Sequence, residues 1–242
     1  MKKTPKRGII LIIIVAMLSY GIALYFGSYH IAGESAEKVM KEPAEGIEVV
    51  DTGKSVSFIP EDPDTGLILY PGARVAYTAY APIMELCARQ GILTVIVRMP
   101  INFAFSDIDA ANRIMEEYPQ IDSWYLAGHS LGGAMACNYA SRNQDKLQGL
   151  ILLAAYSADD ISDASIRTLS IVGERDGVIN KDKLENRKQL LPNLSELVIE
   201  GGNHSGFADY KLQAGDQPST IGAGTQWEIT ANGIVDFIQS GK

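Results

Sequence analysis

One short segment of the chain combines a nucleophile with the backbone shape that would activate it. Residues 128–132 read Gly-His-Ser-Leu-Gly, so that Ser130 lies close to a glycine on either side. The apolar segment 124–127 before it is typical of a strand, and the segment 133–140 after it is typical of a helix. A sharp strand-to-helix turn strains the serine backbone and leaves no room for side chains on its flanks. The pattern predicts a nucleophilic Ser130, with an ordinary glycine-rich turn as the alternative.

A serine hydroxyl needs a base before it can attack a carbonyl carbon at neutral pH. The chain has three histidines. His30 lies at the edge of an apolar N-terminal segment, and the ring of His129, next to the serine in sequence, is expected to point away from the hydroxyl. His204 remains, and it lies in a glycine-rich turn that directly follows the strand-like segment 196–199. We therefore predict that His204 is the general base.

The base in turn needs a carboxylate that fixes its tautomer and stabilises the imidazolium form. Asp176 follows the strand-like segment 168–172 and precedes His204 in the chain. Because the order serine, aspartate, histidine is the order of one known triad arrangement, we predict that Asp176 is this carboxylate. Asp176 could instead only begin a turn, since Asp-Gly is a common turn pair. Three other carboxylates at strand ends are alternatives: Glu174, Asp159 and Asp160.

Acyl transfer also requires hydrogen-bond donors directed at the developing oxyanion. The backbone N–H of Leu131, the residue after the nucleophile, is the first candidate. The second should come from the loop after the first central strand, where Pro71 and Gly72 precede Ala73. Because Gly72 allows close approach of the backbone, we predict that Ala73 N–H is the second donor, although a simple Pro-Gly turn would have the same sequence.

The elements that must position these residues alternate between buried strands and helices. This alternation predicts a mostly parallel, doubly wound sheet with helices on both faces, whose ligands bind at the carboxyl ends of the strands. A β-hairpin precedes it, built from residues 47–50 and 55–59. The other predicted strands are 66–70, 92–97, 124–127, 150–154, 168–172 and 196–199. The predicted helices are 77–90, 107–118, the helix that follows Ser130, 181–191 and 225–239.

The chain resembles the α/β-hydrolase superfamily from about Ile47 to Phe237. The resemblance rests on the segments 128–133, 173–176 and 201–204, and on residues 70–73, which are similar to the His-Gly oxyanion loop with Pro71 in place of histidine. It is most similar to uncharacterised bacterial members and to the dienelactone-hydrolase-like branch. That branch uses a cysteine nucleophile, so lactone hydrolysis is not implied for a chain with Ser130.

The walls of the substrate pocket are expected to come from loops. Only residues 156–167 separate two strands at the usual place of a lid, which is too short for a large lid domain. The polar segment 205–226 is long, and long loops in compact domains are often functional. Plain packing is an equally good explanation for the aromatic members of the predicted pocket, which consists of Arg74, Asn102, Phe103, His129, Phe207 and Tyr210.

Charge and hydropathy divide the chain into three parts. Residues 8–27 carry no charge and are long enough to span a bilayer, and four basic residues precede them. The positive-inside rule then predicts residues 1–27 as a cytoplasmic tip and single-pass signal anchor in the cell membrane, with the remainder outside the cytoplasm. A cleaved signal peptide, giving a secreted protein, is the alternative. Residues 28–46 are expected to be a tether and residues 47–242 the α/β-hydrolase domain.

The sequence therefore predicts a membrane-tethered serine hydrolase that cleaves a small-molecule carboxylic ester through an acyl-enzyme. No metal or organic cofactor is implied. The formal net charge of −8 argues against a nucleic acid partner. Thioesterase or acyltransferase activity would use the same residues, and a non-catalytic binding module at the cell surface is the alternative from another class. The oligomeric state is unknown from the sequence.

Overall fold

The computed structural model describes residues 10, 12–17, 19, 21 and 29–241. The chain divides into two compact units, Met1–His30 and Ile31–Lys242. Most of the predicted membrane span, residues 8–27, lies outside the described residues, and those described within it are helical. Among the described residues, no helix combines the length and the apolar character needed to cross a membrane.

The second unit alternates strands and helices as the sequence predicts. Its strands are β1 (Glu48–Asp51), β2 (Ser55–Ile59), β3 (Thr65–Tyr70), β4 (Leu93–Val97), β5 (Ser123–His129), β6 (Gly149–Leu153), β7 (Arg167–Gly173) and β8 (Leu194–Ile199). Its helices are α1 (Glu34–Lys41), α2 (Ala81–Ala88), α3 (Ala110–Glu117), α4 (Leu131–Asn143), α5 (Lys181–Arg187) and α6 (Ala223–Gln239). The helix predicted over 77–90 is instead a 3-10 turn followed by α2, since Pro82 fits the first turn of a new helix.

The eight strands form one sheet in the order β1-β2-β4-β3-β5-β6-β7-β8. The predicted hairpin is present, because β1 pairs antiparallel with β2, and β2 pairs antiparallel with β4. All pairs from β4 to β8 are parallel, so the carboxyl ends of these strands lie at one edge of the sheet. Residues 154–166, where a lid would be inserted, contain no helix.

Helices cover both faces of the sheet and create the two layers of the core. On one face, Ile114 of α3 and Cys137 of α4 belong to a buried cluster that also includes Leu126 of β5. On the other face, α2 packs against α6, and the ring of Tyr125, next to Leu126 in β5, meets Phe237 of α6 edge to face. Alternation along β5 therefore directs successive side chains into opposite layers.

The structure differs from the prediction that residues 28–46 form a tether. Residues 34–41 within it form α1, and Ala36 of this helix is fully buried. The N–H of Ala36 donates to the Asp209 carboxylate at 2.8 Å, and the N–H of Gly33 donates to the Asp209 carbonyl at 2.8 Å. The compact unit that holds the predicted catalytic residues thus begins at Ile31 rather than at residue 47, because Asp209 fixes this polar segment.

Candidate active site

Ser130 lies on a sharp turn between β5 and α4 and has a strained backbone. Its φ of 52° and ψ of −119° are unusual for any residue other than glycine. The Ser130 N–H is held by the Leu153 carbonyl of the neighbouring strand at 2.9 Å. The turn is therefore held by the strand that leads into it and by a hydrogen bond to the neighbouring strand β6, as a nucleophile elbow requires.

The glycines beside Ser130 are required by close contacts. A Cβ atom at Gly132 would collide with the Tyr70 carbonyl at the end of β3, and one at Gly133 would collide with the Ala155 side chain. At Gly128, a Cβ would lie 2.5 Å from the Gly132 carbonyl group. The strand, the helix and the adjacent loop meet so tightly around Ser130 that only glycine fits at these positions.

His204 and Asp176 form a buried pair at the ends of β8 and β7. His204 Nδ1 lies 2.8 Å from Asp176 Oδ2, and both residues are about 1% exposed. The other carboxylate oxygen, Oδ1, accepts the N–H groups of Val178 and Ile179, each at 2.8 Å. Three donors thus hold the carboxylate, and its position fixes the orientation of the imidazole ring.

The other carboxylates considered as partners of the base have different contacts. Glu174 accepts the N–H of Gly201 at 2.9 Å, Asp159 accepts the side-chain amide of Asn138 at 3.0 Å, and Asp160 is bonded to Ser162. The structure therefore brings Asp176 to His204 and leaves the three alternatives in loop-stabilising contacts.

Ser130 and His204 line one cavity of about 300 Å³ at the carboxyl edge of the sheet. His204 Nε2 is buried and has no hydrogen-bond partner within the described part of the chain. Hydrogen bonds between a base and its nucleophile are often long until substrate is bound. The other lining residues are mostly apolar: Leu131, Ala134, Ala154, Ala155, Tyr156, Val178, Ile179 and Asn180.

The two predicted oxyanion donors lie at the start of α4 and in the loop after β3. Leu131 is the first residue of α4, so its N–H has no partner inside the helix. Ala73 follows Gly72, whose N–H donates to the Tyr80 hydroxyl at 2.9 Å. Neither the Leu131 N–H nor the Ala73 N–H donates to another of the described residues.

Two residues that support the His204 loop were not identified from the sequence. The Asp216 carboxylate accepts the N–H of Gly177 at 3.0 Å and both the N–H and the hydroxyl of Ser205, at 2.8 and 2.7 Å. Gln226 of α6 accepts the Asn203 N–H and donates to the Asn203 carbonyl. Asp216 joins the loops of Asp176 and His204, and the only sequence signal for it is the length of the polar segment 205–226.

Three predicted pocket residues, His129, Phe207 and Tyr210, do not line the cavity of Ser130. His129 is fully buried, and its ring centroid lies 4.7 Å from that of His204. Phe207 is also fully buried and packs against His129 at 5.7 Å. Tyr210 lines a separate cavity of about 180 Å³. Burial raises the pKa of Tyr210, and burial together with the neighbouring His204 holds the pKa of His129 well below its ordinary value.

The other three predicted pocket residues belong to the loop after β3 and to residues 100–106, which we call the apolar loop. Arg74 N–H donates to the Asn102 carbonyl at 2.8 Å, so the two segments are joined. The Arg74 guanidinium lies 6.0 Å from the centroid of the Phe103 ring. These residues likewise do not line the cavity that contains Ser130.

Comparison with known proteins places the chain among α/β hydrolases. A sequence model described as "Alpha/beta hydrolase family" matches residues 66–228, which is more than half of the chain. No curated protein matches the chain.

Among solved structures, the chain is similar to Est1E from Butyrivibrio proteoclasticus with ferulic acid bound, at 13% identity and a TM-score of 0.60 over 81% of this chain and 96% of that one. It is similar to a thermophilic esterase from Thermogutta terrifontis with malate bound, at 13% identity and a TM-score of 0.58 over 81% and 98%. It is also similar to a membrane phospholipase A, described as a novel bacterial virulence factor, at 12% identity and a TM-score of 0.59 over 98% and 99%. At these identities the likeness concerns the fold.

Proposed function

Because the chain belongs to the alpha/beta hydrolase family, we propose that it is a serine hydrolase that cleaves carboxylic esters. One observation carries the proposal. His204, whose Nδ1 lies 2.8 Å from Oδ2 of the buried Asp176, lines the same cavity as the strained Ser130. A nucleophile, a base and an orienting carboxylate are the three roles that acyl transfer needs.

The reaction begins when Ser130 Oγ attacks the ester carbonyl carbon and His204 Nε2 takes the hydroxyl proton. The carbonyl oxygen becomes an oxyanion, which the N–H groups of Leu131 and Ala73 stabilise. When the tetrahedral intermediate collapses, His204 gives its proton to the leaving alcohol and the acyl group remains on Ser130. A water molecule, activated by the same His204, then releases the acid.

The contacts of Asp176 explain why His204 can accept that proton. A carboxylate that already accepts two N–H groups acts as an acceptor toward His204 Nδ1, so the neutral imidazole carries its hydrogen on Nδ1. Nε2 then presents its lone pair toward the cavity. The same carboxylate stabilises the imidazolium that forms during the reaction.

The size and chemistry of the cavity indicate the substrate class. About 300 Å³ is at the lower limit for small-molecule sites. Apart from the proposed catalytic residues, the lining is mostly apolar, and the polar side chains among it are those of Tyr156 and Asn180. This lining supports a small, uncharged group next to the ester. The names of two similar proteins, an esterase and a phospholipase, agree with ester chemistry.

The test uses the full chain in detergent with p-nitrophenyl esters of graded acyl length. We expect Ser130→Ala to lower kcat by at least about 10⁴-fold. Ser141→Ala is the matched control, since Ser141 lies on the same helix but is exposed and bonded to the Asn138 carbonyl. A fluorophosphonate should label Ser130 in the wild type and in the control. Ester cleavage that survives Ser130→Ala would overturn the proposal, and a wild type that neither cleaves nor becomes labelled would favour a binding module.

We also propose that residues 8–27 anchor the hydrolase in the cell membrane with the catalytic unit outside the cytoplasm. The twenty uncharged residues and the four basic residues before them support this. In cell fractionation, the full-length chain should stay in the membrane pellet after an alkaline wash. Protease added outside the cells should digest its catalytic unit. A soluble chain shortened at its N-terminus would instead indicate a cleaved signal peptide.

A further inference from the structure

Two buried residues without a role in the proposed mechanism connect the oxyanion loop, residues 71–74, to the proposed base His204. Tyr80 and His129 are both fully buried. The N–H of Gly72 donates to the Tyr80 hydroxyl at 2.9 Å, and Tyr80 Oη lies 2.8 Å from His129 Nδ1. These contacts join the loop after β3 and the nearby 3-10 turn before α2 to the end of β5, where His129 lies 49 residues after Tyr80 in the chain.

The direction of the hydrogen bonds follows from their donors. Burial raises the pKa of Tyr80, so its hydroxyl keeps its hydrogen. Within the described part of the chain, Tyr80 Oη accepts from Gly72, and its own hydrogen is left for His129 Nδ1. Nδ1 is then the acceptor. Since burial also keeps the His129 ring neutral, the ring carries its hydrogen on Nε2.

The His129 ring also contacts the segment that carries the base. Its centroid lies 4.7 Å from that of His204 and 5.7 Å from that of Phe207. On the loop side, a Cβ at Gly72 would lie 2.9 Å from His129 Nδ1 and 3.1 Å from Tyr80 Oη. The loop backbone therefore packs directly on the pair, and a glycine is needed for that approach.

We propose that Tyr80 and His129 are positioning residues that hold the oxyanion loop, residues 71–74, in register with His204. The inference rests on the proposed function, because it requires Ala73 N–H to be an oxyanion donor and His204 to be the base. The bond from Gly72 to Tyr80 fixes the backbone immediately before Ala73. Oxyanion donors stabilise a transition state only when they are preorganised, and a displacement of about 1 Å can cost 10²-fold in rate.

The experiment compares Tyr80→Phe, His129→Leu and His129→Asn in the full chain. The first two remove the donor and the acceptor of the central bond, whereas an asparagine amide oxygen can accept near the position of Nδ1. Tyr139→Phe is the control, since the Tyr139 hydroxyl bonds to Asn112 in the other helical layer. We expect Tyr80→Phe and His129→Leu to lower kcat by about 10- to 100-fold with KM within about twofold. The affinity for a trifluoromethyl ketone transition-state analogue should fall by the same factor. His129→Asn should retain most of kcat.

Several outcomes would overturn the positioning role. It falls if KM rises while kcat is unchanged, or if Tyr139→Phe lowers kcat as much as Tyr80→Phe. It also falls if His129→Asn is no better than His129→Leu at equal melting temperature. The result for Ser130→Ala separates this inference from the function on which it rests. Activity lost in Ser130→Ala but normal in Tyr80→Phe overturns the positioning role alone, whereas activity that survives Ser130→Ala overturns both.

Discussion

Two regions near the site differ in how they are held in place. The first is the acid–base side, which consists of residues 173–180 and 200–217, and the second is the apolar loop, residues 100–106. On the acid–base side, the carboxylates of Asp176 and Asp216 accept hydrogen bonds from backbone and side-chain donors of both loops. In the apolar loop, Ile101 and Asn102 both have positive φ, and the side chains of Ile101 and Phe105 are 63% and 53% exposed.

The difference shows where this molecule needs positional accuracy. Under the proposed mechanism, a proton moves between Ser130, His204 and the leaving group, which requires fixed distances, and buried charge-assisted hydrogen bonds provide them. The contacts between the apolar loop and the oxyanion loop include a backbone hydrogen bond, from Arg74 N–H to the Asn102 carbonyl, and the approach of the Arg74 guanidinium to the Phe103 ring. Substitutions on the acid–base side should therefore change the rate, and substitutions of exposed side chains in the apolar loop should not.

The largest effect is expected for Asp176→Asn. The amide keeps the shape but favours the wrong tautomer of His204, so kcat should fall by about 10⁴-fold. Stopped-flow or steady-state ester cleavage measures it, and circular dichroism shows whether the fold is retained. A fall of less than about tenfold would mean that another carboxylate supports His204.

A smaller effect is expected for Asp216→Asn, which weakens the connection between the two loops. The loss of charge-assisted bonds should lower the free energy of unfolding by about 1–3 kcal/mol and kcat by about tenfold. Urea denaturation and ester cleavage measure the two effects. Asp163→Asn is the control, because Asp163 is exposed and lies outside both loops. Equal effects of the two substitutions would contradict the role of Asp216.

The third prediction concerns pH and the neutral His129 ring, which His204 and Tyr80 face. Its pKa is held well below 6.5 in the folded protein, so below about pH 6.5 the unfolded chain binds a proton that the folded chain does not. Stability should therefore fall as pH decreases, by up to about 1.4 kcal/mol per pH unit from this group. His129→Asn should reduce the slope in urea titrations between pH 8 and pH 5. Identical slopes would show that His129 does not contribute.

The smallest effect is expected for Ile101→Asn, which should raise rather than lower the free energy of unfolding. A β-branched residue at positive φ is strained, and asparagine tolerates that conformation better. The free energy of unfolding should rise by about 0.5 kcal/mol, with kcat/KM within about twofold. Ile31→Asn is the control, since Ile31 is 65% exposed and is not among the positive-φ residues. A loss of activity in Ile101→Asn would mean that the apolar loop does affect the rate.

The positions that the sequence predicted well are those fixed by local rules. The alternation of apolar segments predicted the strands of the parallel part, although not their order in the sheet, and the glycines around Ser130 predicted the sharp turn, because only glycine fits there. The sequence predicted Asp176 as the partner of His204 but left Glu174, Asp159 and Asp160 open as alternatives. All candidate carboxylates follow strands, and only the folded distances distinguish them.

The residues that the sequence misplaced are those whose environment comes from distant segments. Phe207 was expected in a pocket wall, but it packs beneath His129 from another strand end. Residues 28–46 contain many polar side chains and gave no sign of a docked helix, because the bonds that fix Gly33 and Ala36 come from Asp209, more than 170 residues later. Such long-range contacts leave no local pattern.

The attachment of Asn203 to Gln226 has a consequence for the order in which the site is completed during synthesis. Ser130, Asp176 and Asp216 all leave the ribosome before Gln226 of α6, so two hydrogen bonds of the segment that carries His204 are the last to form. Under the proposed mechanism, a nascent chain that ends before Gln226 carries the nucleophile and the base without this final support. We therefore expect the site to reach its full rate only after α6 has joined the sheet.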